Sequence, residues 1–119
     1  MKFLRGIILI GIAAMTIAST VAVGSADEPR RIQIVASKFS YSPSQITLKK
    51  GEPVVLVLRT SDVTHGLKID ALGVKSEISK GRDTEIAVTP MQVGHFVGKC
   101  AHFCGKGHGS MTLQVDVVN

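Results

Sequence analysis

The chain has 119 residues, which is enough for one small domain. Its composition is 45% hydrophobic, and 14 Lys and Arg stand against 9 Asp and Glu, so the net charge is +5 when His is counted as neutral. Two Cys, four His and four Met are its soft or borderline metal donors. These numbers exclude a disordered chain, a multidomain enzyme, a zinc finger of four cysteines and a disulfide-rich miniprotein.

Residues 1–26 have the pattern of an export signal. Lys2 and Arg5 precede an uncharged and strongly apolar run over residues 6–24, and small residues precede a cleavage point after Ala26. The apolar run is also long enough for an uncleaved membrane anchor. With either outcome, we expect the remaining chain to work in the periplasm or on the outer face of the cytoplasmic membrane.

The charge of the exported part gives little information about its partners. Loss of Lys2 and Arg5 with the signal would lower the net charge from +5 to +3. This weak basic bias favours an acidic partner or an anionic membrane surface. The cations are scattered and the aromatic residues are few, so the sequence does not indicate nucleic-acid binding.

Beyond a short polar tether over residues 27–31, residues 32–119 predict an all-β domain. Short runs rich in β-branched residues alternate with turns marked by Pro, Gly and Ser. The predicted strands are, in chain order, 32–36, 46–48, 53–59, 67–69, 84–88, 96–97 and 111–118. Several short strands between regular turn signals indicate a β-sandwich or barrel, and no part of the domain has a convincing helical period.

The last predicted loop, residues 100–111, concentrates the metal donors of the chain. It has the pattern C-x-x-x-C-G-x-x-H-x-x-M, and its three glycines allow the backbone to fold tightly. The candidate donors are Cys100, Cys104, His108 and Met111 in the loop, and His65 beside another predicted strand. Thiolates and a thioether beside imidazoles favour copper over magnesium, calcium or manganese.

Two simpler interpretations of these residues have to be considered. An exported chain with two cysteines most often forms a disulfide, but a disulfide explains neither the histidines nor Met111 nor the glycines. Two Cys and two His also suit zinc, although zinc would not use Met111, and the spacing resembles no zinc ribbon. A copper site is therefore the interpretation that uses all the residues.

The loop resembles the binuclear copper A motif of cytochrome c oxidase subunit II, which also occurs in nitrous oxide reductase. The segment 94–100 is similar to the family's approach to its first cysteine, residues 62–65 are similar to its upstream histidine segment, and the resemblance extends over residues 32–118. It implies a cupredoxin-like Greek-key β-sandwich.

The resemblance also implies a role for each donor. Cys100 and Cys104 would bridge two copper ions, His65 and the weak axial ligand Met111 would complete the first copper, and His108 the second. The backbone carbonyl of His102 would be the axial ligand of the second copper.

Three features depart from the family pattern. His102 stands where the oxidases have a Glu that also reaches a magnesium ion, and an imidazole does not replace a carboxylate for a hard cation. The chain has no Trp, whereas the family uses a Trp-containing aromatic cluster for electron entry. Subunit II usually has two membrane helices, whereas this sequence has one apolar segment. These departures favour a stand-alone domain over a standard oxidase subunit.

We therefore predict a one-electron carrier that is not an enzyme by itself, with a c-type cytochrome or a terminal oxidase or reductase as its partner. Three alternatives remain open at this point. They are a subunit II-like part of an oxidase or nitrous oxide reductase system, a copper storage or delivery protein, and a mononuclear copper protein with a spare thiol. The sequence assigns no role to His95 or to the His102 side chain.

Overall fold

The computed structural model describes residues 11, 13–14 and 28–119. Nine strands form the domain: β1 (Arg30–Ser37), β2 (Ser40–Ser42), β3 (Gln45–Lys49), β4 (Val54–Thr60), β5 (His65–Ile69), β6 (Val74–Ile78), β7 (Thr84–Val88), β8 (Gly94–Lys99) and β9 (Thr112–Val118). Two single-turn 3-10 helices, Asp70–Leu72 and His108–Ser110, are the helical segments among the described residues. The domain is therefore all-β, as the sequence predicts.

The strands form two sheets. The smaller sheet has the order β2-β1-β4-β7, and the larger one has the order β3-β9-β8-β5-β6. Each sheet contains one parallel pair, β1 with β4 and β3 with β9, and the other pairs are antiparallel. Chain neighbours such as β4 and β5 lie in different sheets, so the chain crosses repeatedly between the layers of a sandwich.

The core lies between the inner faces of the two sheets. Alternate residues of β3 and β9 are buried, which is the period-two pattern of a sheet with one face inside. Ile34 of β1 pairs in register with Leu58 of β4, and both are fully buried. Each such aliphatic side chain contributes about 1.5–3 kcal/mol through its burial. The rigid sandwich that results carries the loops at its ends.

The strand predictions are correct in outline and differ in detail. Strands β2 and β6 were not predicted, because β2 has three residues and β6 carries apolar side chains only at its ends, Val74 and Ile78. Strand β1 begins at Arg30, inside the segment assigned to the tether, because Arg30 and Arg31 continue the parallel pairing with β4. His65 is the first residue of β5.

The predicted export signal or membrane anchor over residues 1–26 lies almost entirely outside the described residues. Within the part of the chain that the structure does describe, we find no helix of the length and hydropathy needed to cross a membrane.

One end of the sandwich brings the candidate donors together. The start of β5, the end of β8 and the start of β9 lie next to each other, because β5 and β9 each pair antiparallel to β8. Gly66 allows the loop to fold over β5, because a Cβ atom at Gly66 would stand 2.9 Å from the amide nitrogen of His102. Residues 65, 100 and 111 therefore meet although they are far apart in the sequence.

Candidate metal centre

The loop between β8 and β9 is folded tightly by its own backbone. The amide of His108 donates to the carbonyl of Gly105 at 3.1 Å, and the amide of Met111 donates to the carbonyl of His108 at 3.3 Å. The amide of Cys100 donates to the carbonyl of Met111 at 3.3 Å, which joins the two ends of the loop. These backbone hydrogen bonds close the loop and place the side chains of residues 100, 104, 108 and 111 around one point.

The two cysteine sulfurs are the centre of the cluster. The Sγ atoms of Cys100 and Cys104 lie 3.7 Å apart, both residues are buried, and neither takes part in a disulfide. A disulfide would need a separation of about 2.05 Å. The disulfide interpretation therefore does not describe this structure, and both sulfurs remain available as ligands.

The remaining donors of the loop surround these sulfurs. The Sγ atom of Cys104 lies 3.8 Å from Nδ1 of His108 and 3.8 Å from Sδ of Met111, which is itself almost fully buried. The Sγ atom of Cys100 lies 3.1 Å from the carbonyl oxygen of His102. The structure thus brings the four side chains of the predicted motif and the predicted carbonyl to one site.

His65 supplies the fifth side chain from β5. It is fully buried, and ligand atoms of His65, Cys100 and Cys104 lie within 4.8 Å of one another. Its Nε2 atom donates to Oδ1 of Asp62 at 2.7 Å, whereas its buried Nδ1 atom has no hydrogen-bond partner. A buried polar atom without a partner is costly, and metal-binding imidazoles typically donate their other nitrogen to a carboxylate. Nδ1 is therefore the atom that His65 offers to a metal.

Asp62 fixes the orientation of this imidazole, a role that the sequence analysis did not assign. Its carboxylate accepts the backbone amides of Lys38 at 2.7 Å and Val63 at 2.6 Å. Partial burial by itself would raise the pKa of Asp62, but these hydrogen bonds and the one from His65 outweigh it and hold the pKa well below its usual range. The only signal in the sequence is a carboxylate three residues before His65.

Tyr41 closes the site from the side of β2. Its buried hydroxyl donates to the carbonyl of Gly66 at 2.6 Å, and burial together with the neighbouring Cys100 and Cys104 raises its pKa strongly. Burial, with Cys100 as a second cause, also raises the pKa of the Cys104 thiol to about 11. A metal that binds to Cys104 must therefore displace the thiol proton. The free energy of the metal–thiolate bond has to exceed the cost of removing that proton.

The solvent side of the centre is aromatic. The ring of Phe103 is 75% exposed, and its centroid lies 5.8 Å from that of His108. The His102 side chain points outward, with Nδ1 4.0 Å from a carboxylate oxygen of Glu77, so this residue directs only its carbonyl toward the sulfurs.

His95 lies apart from the site. It stands on the outer face of β8, where it bonds to Asp116 and Gln114. Like the His102 side chain, it takes no part in the cluster of donors.

The donor set fits copper. Two cysteine sulfurs, two imidazoles, one thioether and one carbonyl converge on a buried site, and soft sulfur donors beside imidazoles select copper among the common metals. Zinc would leave the buried Met111 sulfur without a role. The unpartnered Nδ1 of His65 is an independent structural sign that this site can accept a metal ligand bond.

A two-layer β-sandwich with sulfur and imidazole donors at one end is the architecture of a small copper-binding domain. A family model described as a cupredoxin-like domain matches residues 6–113, and the chain belongs to this family. The cupredoxin-like fold predicted from the sequence is therefore confirmed.

Individual relatives show which members of the cupredoxin-like family this chain is similar to. The chain is 38% identical over 72 residues to a probable cytochrome c oxidase subunit 2 of Streptomyces avermitilis, which covers 60% of this chain and 23% of that protein. It is 32% identical over 63 residues to cytochrome c oxidase subunit 2 of Vanderwaltozyma polyspora, covering 53% of this chain and 25% of that protein. The chain thus spans about a quarter of the length of the curated relatives that it matches. The resemblance to oxidase subunit II is confirmed over these matched segments.

Among solved structures, the fold is also similar to that of an oxidase subunit II domain. The periplasmic domain of subunit II of cytochrome oxidase of Bradyrhizobium japonicum superposes with a TM-score of 0.70 at 19% identity, covering 76% of this chain and 84% of that one. At this identity, the likeness concerns the fold alone.

Proposed function

We propose that the domain holds a binuclear copper A centre and carries one electron at a time between redox proteins outside the cytoplasm. In this proposal Cys100 and Cys104 would hold both copper ions. His65 and Met111 would complete one copper, and His108 and the His102 carbonyl would complete the other. The observation that carries the proposal is the convergence of these donors on two sulfurs 3.7 Å apart.

The protein contributes a fixed and water-poor surrounding for the metal. When bound, the copper pair supplies a one-electron redox couple. The chain holds its donors from three strand ends and a hydrogen-bonded loop, so they have little freedom to move when the charge of the site changes. Asp62 holds the His65 ring, and the burial of both cysteines and Met111 excludes water. A rigid site with few groups that reorganise is suited to electron transfer.

The surface of the site favours electron exchange over substrate chemistry. The sulfur donors and His65 are buried, and the loop presents the exposed Phe103 ring, next to the half-buried His108, to a visiting protein. In a chain without Trp, this aromatic side chain is the best placed contact for an electron-transfer partner. We therefore propose that the domain is not an enzyme by itself, and that its partner is a c-type cytochrome or a terminal oxidase or reductase.

The second candidate is a subunit II-like part of a terminal oxidase. The names and identities of the two subunit 2 relatives favour it. The similar fold of a periplasmic domain of subunit II supports a location in the periplasm or on the outer face of the membrane. His102 distinguishes the candidates, because an oxidase subunit of the family pattern would carry Glu there for a magnesium ion. We prefer the independent carrier for this reason.

Copper stoichiometry combined with EPR spectroscopy of the full chain tests the proposal. We expect two copper ions per chain, a purple colour, and hyperfine splitting from two equivalent nuclei. Cys100→Ser should abolish the shared-electron signal, whereas the matched variant His102→Ala should keep both copper ions, because it leaves the carbonyl in place. One copper with a mononuclear signal at full loading would contradict the binuclear centre. Rapid release of Cu(I) to an apo-protein would favour storage or delivery instead.

A further inference from the structure

Three lysines lie side by side on the outer face of the larger sheet. Lys68 of β5 is paired in register with Lys75 of β6 on one side and with Lys99 of β8 on the other. All three residues are exposed, whereas Leu67 and Ile69, the chain neighbours of Lys68, are fully buried. We call Lys68, Lys75 and Lys99 the lysine row.

This arrangement costs stability. Like charges directly opposite each other on neighbouring strands repel. Among the described residues, the ion pair recorded for the row joins Lys68 Nζ to a carboxylate oxygen of Asp70 at 3.5 Å, and the Asp70 side chain is highly exposed. Thr112 of β9, which pairs in register with Lys99 on its other side, is neutral. Lys75 and Lys99 stand in no ion pair among the described residues, so the row keeps a net positive charge that the exposed Asp70 offsets only in part, and such a local charge can attract an oppositely charged partner.

The row borders the metal loop. Lys99 directly precedes Cys100 in the chain. Lys75 lines a shallow cleft of about 310 Å³ together with Ala101 and His102. A protein that binds across the row would therefore rest against the backbone that connects the two cysteines.

We propose that the lysine row docks an acidic face of the protein that exchanges electrons with this domain, an inference that rests on the function proposed above. Opposite charges at the rim of an interface raise the association rate and set the orientation of the partners. The row directs the partner to the side of the loop that Ala101 and His102 form. The strand pairing thus gathers three of the chain's positive charges on one surface.

A protein fits this surface better than an anionic membrane does. Two carboxylates stand beside the row, Asp70 next to Lys68 and Glu77 two residues from Lys75 on the same face of β6. A uniformly anionic bilayer would repel them, whereas a protein face can match positive and negative groups separately. The exposed Val97, on the same face of β8 as Lys99, adds an apolar contact typical of protein interfaces.

The test compares two double variants of equal net charge in the full, copper-loaded chain. The row variant is Lys68→Gln with Lys75→Gln, which leaves Lys99 beside Cys100 untouched. The control variant is Lys49→Gln with Lys50→Gln, at the end of β3, on the opposite end of the sandwich from the loop. The probes are an acidic and a basic soluble c-type cytochrome and vesicles of phosphatidylglycerol. Dissociation constants and electron-transfer rates are measured at low and moderate ionic strength.

We expect the wild type to prefer the acidic cytochrome, and the row variant to bind it about five- to tenfold more weakly, as the loss of two exposed ion pairs implies. At moderate ionic strength the control variant should change by less than about twofold, because its charges lie at the far end of the sandwich and charges are screened over about 10 Å. The row variant should also unfold at a higher temperature than the wild type at low salt, because repulsion has been removed.

Three results would overturn the proposal. They are equal weakening in both variants, tighter binding of the basic cytochrome, and row-dependent binding of the vesicles without binding of the acidic cytochrome. The two proposals fail in different ways. Electron exchange at an unchanged rate in the row variant would contradict only the docking surface. Row-dependent binding without any electron exchange would contradict only the proposed function.

Discussion

The contact between Gly107 and Phe39 gives the sharpest test of how the metal loop is held. The Phe39 ring packs on the backbone of the loop, and a Cβ atom at Gly107 would stand 2.5 Å from Cδ2 and 2.9 Å from Cδ1 of that ring. The backbone angles of Gly107 (φ −86°, ψ 6°) are open to any residue. The penalty for Gly107→Ala is therefore purely steric.

The size of the effect follows from the distances. The conflict involves ring atoms close to the Cβ of Phe39, so a small rotation of the ring tip does not relieve it, and the ring or the loop has to shift. Overpacking inside a core costs about 1–3 kcal/mol. Phe39 is 37% exposed and its ring can yield in part, so we take the lower part of that range, about 1–2 kcal/mol. For a domain of this size each kcal/mol lowers the melting temperature by about 4–8 °C. We therefore expect Gly107→Ala to melt about 4–16 °C below the wild type.

The same loop offers a matched control. A Cβ atom at Gly109 meets nothing within 4 Å, and Gly109 lies in the 3-10 helix His108–Ser110, so Gly109→Ala should be neutral or slightly stabilising. Thermal unfolding followed by circular dichroism measures both variants. In a Phe39→Ala background, Gly107→Ala should cost at least about 1 kcal/mol less than in the wild type, because the opposing ring is gone. Equal melting temperatures for the two glycine variants, or no coupling to Phe39, would refute the reasoning.

Three further predictions concern the site and the sheet face. Asp62→Asn should lower copper affinity about 10–100-fold in a competition titration with a chelator, because the His65 ring loses its carboxylate partner; unchanged affinity would show that Asp62 does not position the ring. Met111→Leu should keep both copper ions and shift the reduction potential measured by voltammetry, because an axial thioether tunes the metal more than it holds it; complete loss of copper would refute the axial assignment. His95 and Asp116 should make stability depend on pH, because their hydrogen bond raises the pKa of His95 above 6.5 and lowers that of Asp116 below 3.8. The raised pKa of His95 gives stability that is lost as the pH rises above 6.5, and the lowered pKa of Asp116 gives stability that is lost as the pH falls below 3.8. Urea midpoints should therefore be highest between these two pH values. His95→Gln should flatten this pH profile.

Local sequence was sufficient for the chemistry of the metal loop. Cys100, Cys104, His108 and Met111 stand within 12 residues, so any fold that closes the loop brings them near each other, and the identity of the donors indicates copper. The class of the fold was also accessible, because period-two burial over β3 and β9 is a property of neighbouring residues.

Only the tertiary structure decided how the site is completed and what surrounds it. His65 reaches the sulfurs because β5 pairs with β8, a contact between residues more than 30 positions apart that no local pattern encodes. The carboxylate of Asp62 is close to His65 in the sequence, but the distant amide of Lys38 helps to hold it in place. The contact of the Phe39 ring with the loop and the lysine row, whose members come from three strands, also depend on tertiary packing. Residue type and spacing determine which atoms can bind a metal, because donor chemistry is a property of the side chain. Strand pairing determines which of those atoms meet, because it sets distances between distant parts of the chain.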